Sequence, residues 1–306
     1  MREIIIGSRG SELALKQVNI IREYISNNLE ISSTVKVIET GGDRDQQSPF
    51  IEMEGIAFFT KEIEEALLRN EIDIAVHSLK DMTTTLPEGL TIAAVGFRED
   101  RRELLLLNAS AHEESAPLFL KSGSVIGTSS ARRRSQIKHI DPSLKLKDVR
   151  GNVPTRIQKL RDGAYDALII AAAGVNRLDV DLSGLGVYRL RQESFLPAAG
   201  QGVLAIESRK SDTELNEALA EINDDIVSAE VQLERGLLKK FNSGCSLPLG
   251  VISSIGDNGE YRLQAVLDVE PDGDGSHELR RIDLYGTDPQ EIVEEAYRSL
   301  TAVKVS

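Results

Sequence analysis

The sequence predicts an α/β protein of three domains, and three observations carry that expectation. Short apolar runs alternate with segments of helical periodicity from residue 4 onward. The alternation starts afresh after Arg98-Glu-Asp-Arg-Arg102. Beyond about Ile226 the pattern changes to one helix, three strands and a last helix, which reads as a small α+β domain. Regular alternation implies largely parallel strands joined by crossover helices. A chain of 306 residues also exceeds what one ordinary core supports.

The elements follow in order. Residues 4–6 are three isoleucines, a buried strand closed by Gly7-Ser-Arg-Gly10. Ser11 is an N-cap for a helix with Leu13, Val18, Ile21 and Ile25 near helical spacing. Residues 35–38 are the second strand. The segment 41–55 has no clear period and reads as a long loop of the kind that forms a lid. Thr60 can cap a helix carrying Ile63, Ala66 and Leu67 on one face. Strands are expected at 72–76, ending in His77-Ser-Leu-Lys-Asp81, and at 91–95. The second block has strands at 104–107, 124–126 and 167–170, and helices at 129–139 and 154–162, the latter opened by proline. Phe195-Leu-Pro-Ala-Ala-Gly-Gln-Gly202 is a connector, and 203–206 is a strand that could return to the first sheet. Strands at 251–254, 261–267 and 279–284 and a helix from Pro289 complete the chain. The expected domains are 1–97 with 198–220, then 102–195, then 225–306.

Charge locates a site. The chain carries a net charge of −13, yet Gly127 to Arg161 holds ten Lys/Arg against two Asp/Glu. Thr128, Ser129 and Ser130 stand between a strand and a helix, where free N–H groups and the helix dipole favour anions. Arg132, Arg133 and Arg134 follow, and Arg150 and Arg156 bracket a second strand-to-helix turn. Arginine's planar fork suits carboxylate or phosphate. The island is therefore either an anion site or a solvated basic helix face. The acidic total argues against general nucleic-acid binding. The N-terminal apolar run is too short for a signal peptide or a membrane span, so a cytoplasmic protein is expected. The four histidines lack metal-ligand spacing, and no metal is expected.

Other motifs admit two readings each. Lys80-Asp81 is a surface ion pair, or it brings a carboxylate to the end of a buried strand. Cys245, the only cysteine, is a small buried hydrophobe, or it is a loop thiol fit for covalent attachment. Gly200-Gln-Gly202-Val-Leu-Ala205 formally matches a dinucleotide fingerprint, but its second glycine enters a strand rather than a helix.

Nine motifs in order resemble the porphobilinogen deaminase (hydroxymethylbilane synthase) family. They are Ser8-Arg-Gly-Ser-Glu-Leu-Ala-Leu, Thr40-Gly-Gly-Asp43, Phe59-Thr-Lys-Glu, Asp73-Ile-Ala-Val-His-Ser-Leu-Lys-Asp81, Gly127-Thr-Ser-Ser-Ala-Arg-Arg, Val149-Arg-Gly-Asn-Val-Pro-Thr-Arg, Ala173-Gly-Val-Asn-Arg177, Leu196-Pro-Ala-Ala-Gly-Gln-Gly and Gly244-Cys-Ser-Leu-Pro-Leu-Gly. The resemblance implies two hinged lobes like type II periplasmic binding proteins, plus a third domain carrying the cysteine. It implies a transferase that joins four porphobilinogen molecules head to tail, with loss of ammonia, into the linear tetrapyrrole hydroxymethylbilane. The chain would grow on a dipyrromethane cofactor held by a thioether to Cys245. Asp81 matches the catalytic aspartate. Arg9, Arg132, Arg133, Arg150, Arg156 and Arg177 match positions that bind acetate and propionate groups, with Ser11, Ser78, Lys80, Thr128, Ser130 and Gln201 adding contacts. A monomer that passes its product to a tetrapyrrole-cyclising enzyme is implied as well. The chain departs from the family at Ile56, where a lid lysine is usual, at Pro154 for glycine, at Glu103 for aspartate, and at Asn242-Ser243 for glycine-rich sequence. A carboxylate-binding protein on the same scaffold is the rival reading. It would need neither Asp81 beside Lys80 nor a cysteine domain.

Overall fold

The computed structural model describes residues 3–41, 60–241, 247–269 and 278–302. Cys245, Ile56 and most of the expected lid lie outside these residues. The chain forms two compact units: 1–99 with 176–178 and 200–229, and 100–175 with 179–199 and 230–306.

The first unit is built on β1 (Ile4–Ser8), β2 (Ser33–Val37), β3 (Ile74–Ser78), β4 (Leu90–Gly96) and β10 (Leu204–Arg209), in the order β2-β1-β3-β10-β4. β1 pairs in parallel with β2 and β3, whereas β10 runs antiparallel to both β3 and β4. The sheet is thus mixed, with β10 as its one reversed strand. Helix α1 (Glu12–Leu29) buries Val18, Ile21 and Ile25 against Ile4, Ile6 and Ile74. Helix α2 (Lys61–Leu68) buries Ile63, Ala66 and Leu67 with Ile72, Ala75 and Leu90. With both of its faces covered, the central strand β3 opens on a continuous buried apolar run, Ile74-Ala-Val76.

In the second unit, β5 (Glu103–Asn108), β6 (Val125–Gly127), β7 (Lys145–Lys147), β8 (Ala167–Ala171) and β9 (Leu185–Arg189) lie in the order β7-β6-β8-β5-β9. β6 is parallel to β7 and β8, and β5 is antiparallel to β8 and β9, so one strand is again reversed. Helices α3 (Ala131–Ile140) and α4 (Val153–Arg161) follow β6 and β7, and α5 (Ala172–Leu178) follows β8. α6 (Thr213–Ala220) returns to pack on the first sheet through Leu215 and Leu219.

The C-terminal part is an antiparallel meander of β11 (Leu249–Ile255), β12 (Tyr261–Val269) and β13 (Glu278–Gly286). Helices α7 (Asp225–Lys240) and α8 (Pro289–Thr301) supply Leu233, Leu237, Ile292, Ala296 and Leu300 to its own core with Val251, Leu263 and Ala265. Its other face holds Ile252 and Val266 against Leu196. Val251 N donates to Pro197 O at 2.9 Å, which ties the connector to this sheet.

Candidate active site

In the first unit, parallel pairing puts the carboxyl ends of β1 and β3 at one sheet edge, where ligands of α/β folds gather. From β1 come Arg9 and Ser11. The Ser11 hydroxyl accepts from Ala14 N at 3.3 Å and caps α1. From β3 come Ser78 and a single 3-10 turn, Leu79–Asp81. Gln17 of α1, buried, donates to Ser78 Oγ at 2.8 Å and couples the two strand ends. Lys80 is half-buried and Asp81 is exposed.

The turn under Asp81 is rigidly held. Leu79 is fully buried and its N–H donates to Val203 O at 3.0 Å. Gly200, at φ +69, lets the chain pass so close that a Cβ there would lie 3.0 Å from the Leu79 side chain. Other residues of the same motif serve the scaffold. Asp73 accepts from Ile5 N at 2.8 Å and pairs with Arg209 at 3.0 Å. His77 meets Glu207 at 3.1 Å in the interior.

Gln201 is buried at this edge, just before β10. Arg177 Nη2 donates to Phe97 O at 3.0 Å and Gly202 O at 2.7 Å, so it joins two crossover segments. Burial lowers its pKa to about 10, opposed by Glu99. Gly200 and Gly202 both have positive φ. The apparent dinucleotide pattern is therefore a crossover requirement.

In the second unit, the ends of β6 and β7 form a matching edge. Ser129 Oγ donates to Val149 O and accepts from Val149 N, both at 2.9 Å, stitching the two turns together. This brings Thr128 and Ser130 beside Arg150. Ser130 Oγ accepts from Arg133 N at 3.5 Å as the cap of α3. Arg156 Nε donates to Gly151 O at 2.6 Å, and its carbonyl accepts from Tyr165 Oη at 3.0 Å. Arg150 and Arg156 are half-buried.

Arg132 and Arg133 are placed differently from a solvated basic face. They are 6% and 7% exposed, and Glu103 between them is 0% exposed. Glu103 Oε1 accepts from Arg132 Nη2 and Oε2 from Arg133 Nη2, each at 2.7 Å. Arg132 Nη1 also donates to Leu196 O at 2.7 Å, and Arg133 Nη1 to Ile169 O at 3.2 Å. Gln136 on the next turn of α3 grips Leu196 at both backbone atoms, at 2.8 and 3.0 Å. Burial pushes the Arg132 guanidinium down, Glu103 pulls it back, and Arg133 opposes. The trio keeps one net positive charge. A guanidinium has five N–H donors, and each of these two gives two to partners within the described residues. Arg133 Nε is buried without an acceptor. Cations in the first turn of a helix also oppose its dipole. A buried surplus of charge and donors calls for an anion.

The motifs marked most of these positions, but not Glu103's function, Gln17, Leu79 or Gln136. Glu103 did leave a trace, as the one carboxylate of its strand, directly before four leucines. Among the described residues no cluster of His, Cys, Asp or Glu is arranged to hold a metal ion, and no helix is long and apolar enough to cross a membrane.

Residues 4–217 match the family described as "Porphobilinogen deaminase, dipyromethane cofactor binding domain", and 228–300 match "Porphobilinogen deaminase, C-terminal domain". The porphobilinogen deaminase of Sulfurimonas denitrificans is 42% identical over 275 residues, 90% of this chain and 86% of that protein. That of a Geobacillus species is 40% identical over 301 residues, 98% of this chain and 94% of that protein. Among solved structures, an arginine-specific periplasmic binding protein from Salmonella typhimurium is similar at a TM-score of 0.44 and 9% identity, over 74% of this chain and 94% of that one. With both family domains matched in order along nearly its whole length, the chain belongs to the porphobilinogen deaminase family.

Proposed function

We propose that this protein carries out its family's reaction, the head-to-tail condensation of four porphobilinogen molecules into hydroxymethylbilane with release of ammonia, through Asp81 and two basic clusters. The observation that carries the reading is the buried Arg132–Glu103–Arg133 trio, with its net positive charge and unused donors. Porphobilinogen and its oligomers bear an acetate and a propionate on each ring. An unpaired buried carboxylate costs several kcal/mol, so such a ligand needs cationic partners.

The dipyrromethane cofactor, when bound, supplies the nucleophilic pyrrole end on which the product is built. The donor set fits it: Arg132, Arg133, Arg150 and Arg156 take its carboxylates, with Thr128 and Ser130 at the helix mouth. Cys245 is its thioether attachment, carried by the segment 225–306. On the other lobe, 1–97 with 198–220, Arg9 and Lys80 take carboxylates of the incoming substrate, with Ser11, Ser78 and Gln201 positioning it. Arg177 acts from the crossover it joins. Departure of ammonia leaves positive charge on the substrate. The Asp81 carboxylate, held by the Leu79 anchor, stabilises that charge and accepts pyrrole N–H bonds. The enzyme works as a cytoplasmic monomer, and its linear product passes to a tetrapyrrole-cyclising enzyme.

Intact-mass spectrometry tests the core of this reading. Purified protein should exceed its sequence mass by two condensed porphobilinogen units, and Cys245→Ser protein should not. Fully active enzyme of unmodified mass would overturn it.

A further inference from the structure

We infer that Glu103 is a positioning residue that sets both the direction and the charge of the carboxylate site formed by Arg132 and Arg133. The inference rests on the reading that these arginines bind a ligand carboxylate. It adds a residue that the reaction scheme does not use.

Three observations support it. First, Glu103 opens β5, and its neighbour in register is Ala171 at the carboxyl end of β8. It therefore stands at the same sheet edge as Thr128 and the mouth of α3, not deep in the apolar core. Second, its two oxygens are divided between the two guanidiniums at 2.7 Å each. Adjacent residues on a helix diverge by about 100° around its axis, so Arg132 and Arg133 would otherwise point apart. One carboxylate with an oxygen for each is what makes them converge. Third, the carboxylate cancels one of two buried charges. A single remaining positive charge matches one carboxylate. Two uncompensated guanidiniums would repel each other, as their mutual effect on Arg132 already indicates. The backbone carbonyls of Leu196 and Ile169 fix the far side of each fork. The unused N–H groups are therefore aimed by three fixed acceptors, of which only Glu103 carries charge.

The test compares Glu103→Gln, Glu103→Asp and Arg133→Leu, each purified as the full chain. Gln keeps length and removes charge, whereas Asp keeps charge and shortens the reach. Three quantities are read: the fraction of molecules carrying the cofactor mass, KM and kcat for porphobilinogen, and the melting temperature. Glu103→Gln should lower the cofactor-loaded fraction several-fold and reduce kcat/KM about 100-fold, the scale of a contact displaced by about 1 Å. Glu103→Asp should restore loading and come within about tenfold of wild type, since charge is the larger part of the effect. A merely structural Glu103 would lower the melting temperature alike in both variants and leave loading, KM and kcat of the folded protein unchanged. That result would overturn the inference. If Glu103→Gln does not fold, the inference stands on Glu103→Asp retaining loading, and it falls if Asp loses loading to the level of Arg133→Leu. Should Arg133→Leu itself load and turn over normally, the carboxylate reading of the arginines fails, and the role of Glu103 fails with it. Impaired Arg133→Leu beside a normal Glu103→Gln defeats the role of Glu103 alone.

Discussion

Replacing Glu103 should destabilise the protein more than replacing one of the arginines it holds, and the charge count explains why. Glu103 is 0% exposed and shared by two guanidiniums at 2.7 Å. Glu103→Gln leaves both cations buried without the carboxylate they share, and removing one partner of a buried pair typically costs about 3–5 kcal/mol. Arg133→Met leaves Arg132 with Glu103, a neutral pair. It gives up the bonds to Glu103 and Ile169 O, worth roughly 1 kcal/mol each once the guanidinium's own desolvation is recovered, about 2 kcal/mol together. At about 2–4 °C per kcal/mol for units of this size, Glu103→Gln should melt about 6–20 °C below wild type, and Arg133→Met about 4–8 °C below. The chain has no tryptophan, so circular dichroism is the natural probe. Arg133→Met melting as low as Glu103→Gln, or lower, would refute the charge argument.

Asp81→Asn should keep the bound cofactor and lose about 100-fold or more in kcat, the usual loss for one preorganised electrostatic contact; near-normal turnover in steady-state assays would remove Asp81 from the chemistry. Gly202→Ala would place a Cβ 2.4 Å from Glu99 O at φ +86. The left-handed backbone alone costs about 1–2 kcal/mol, so a melting temperature equal to wild type would contradict the close approach. Burial raises the pKa of Glu64, with Glu207 adding to the rise and Thr60 and His77 opposing it. The folded state therefore holds the Glu64 proton more tightly than the unfolded chain, and stability falls as pH rises through the raised value. Glu64→Gln should raise the melting temperature at about pH 7, with the difference fading near pH 4; a pH-independent difference would exclude titration as its cause.

Much of this protein was legible in one dimension. The strand at Ile4–Ser8, the cap at Ser11 and the strand returning at Leu204–Arg209 follow from local apolar runs and capping chemistry. Those signals lie within a few residues of the structures they specify. The reversed strand in each sheet was not legible, because apolar periodicity carries no strand direction. The basic island likewise marked the stretch to examine as a candidate anion site, while the net charge of −13 argued against a general nucleic-acid surface.

What the tertiary structure decided is which charges are held and which are offered. In sequence, Arg132, Arg133 and Arg134 are three equal cations. In the fold, the first two are buried on Glu103 and the third pairs with Asp148 on the surface. Arg177 reads as a ligand contact, yet two crossover carbonyls hold its Nη2. Residue type and spacing determine what chemistry a chain can present. Burial and long-range partners, brought together by strand pairing across dozens of residues, determine the charge state and direction in which it is presented.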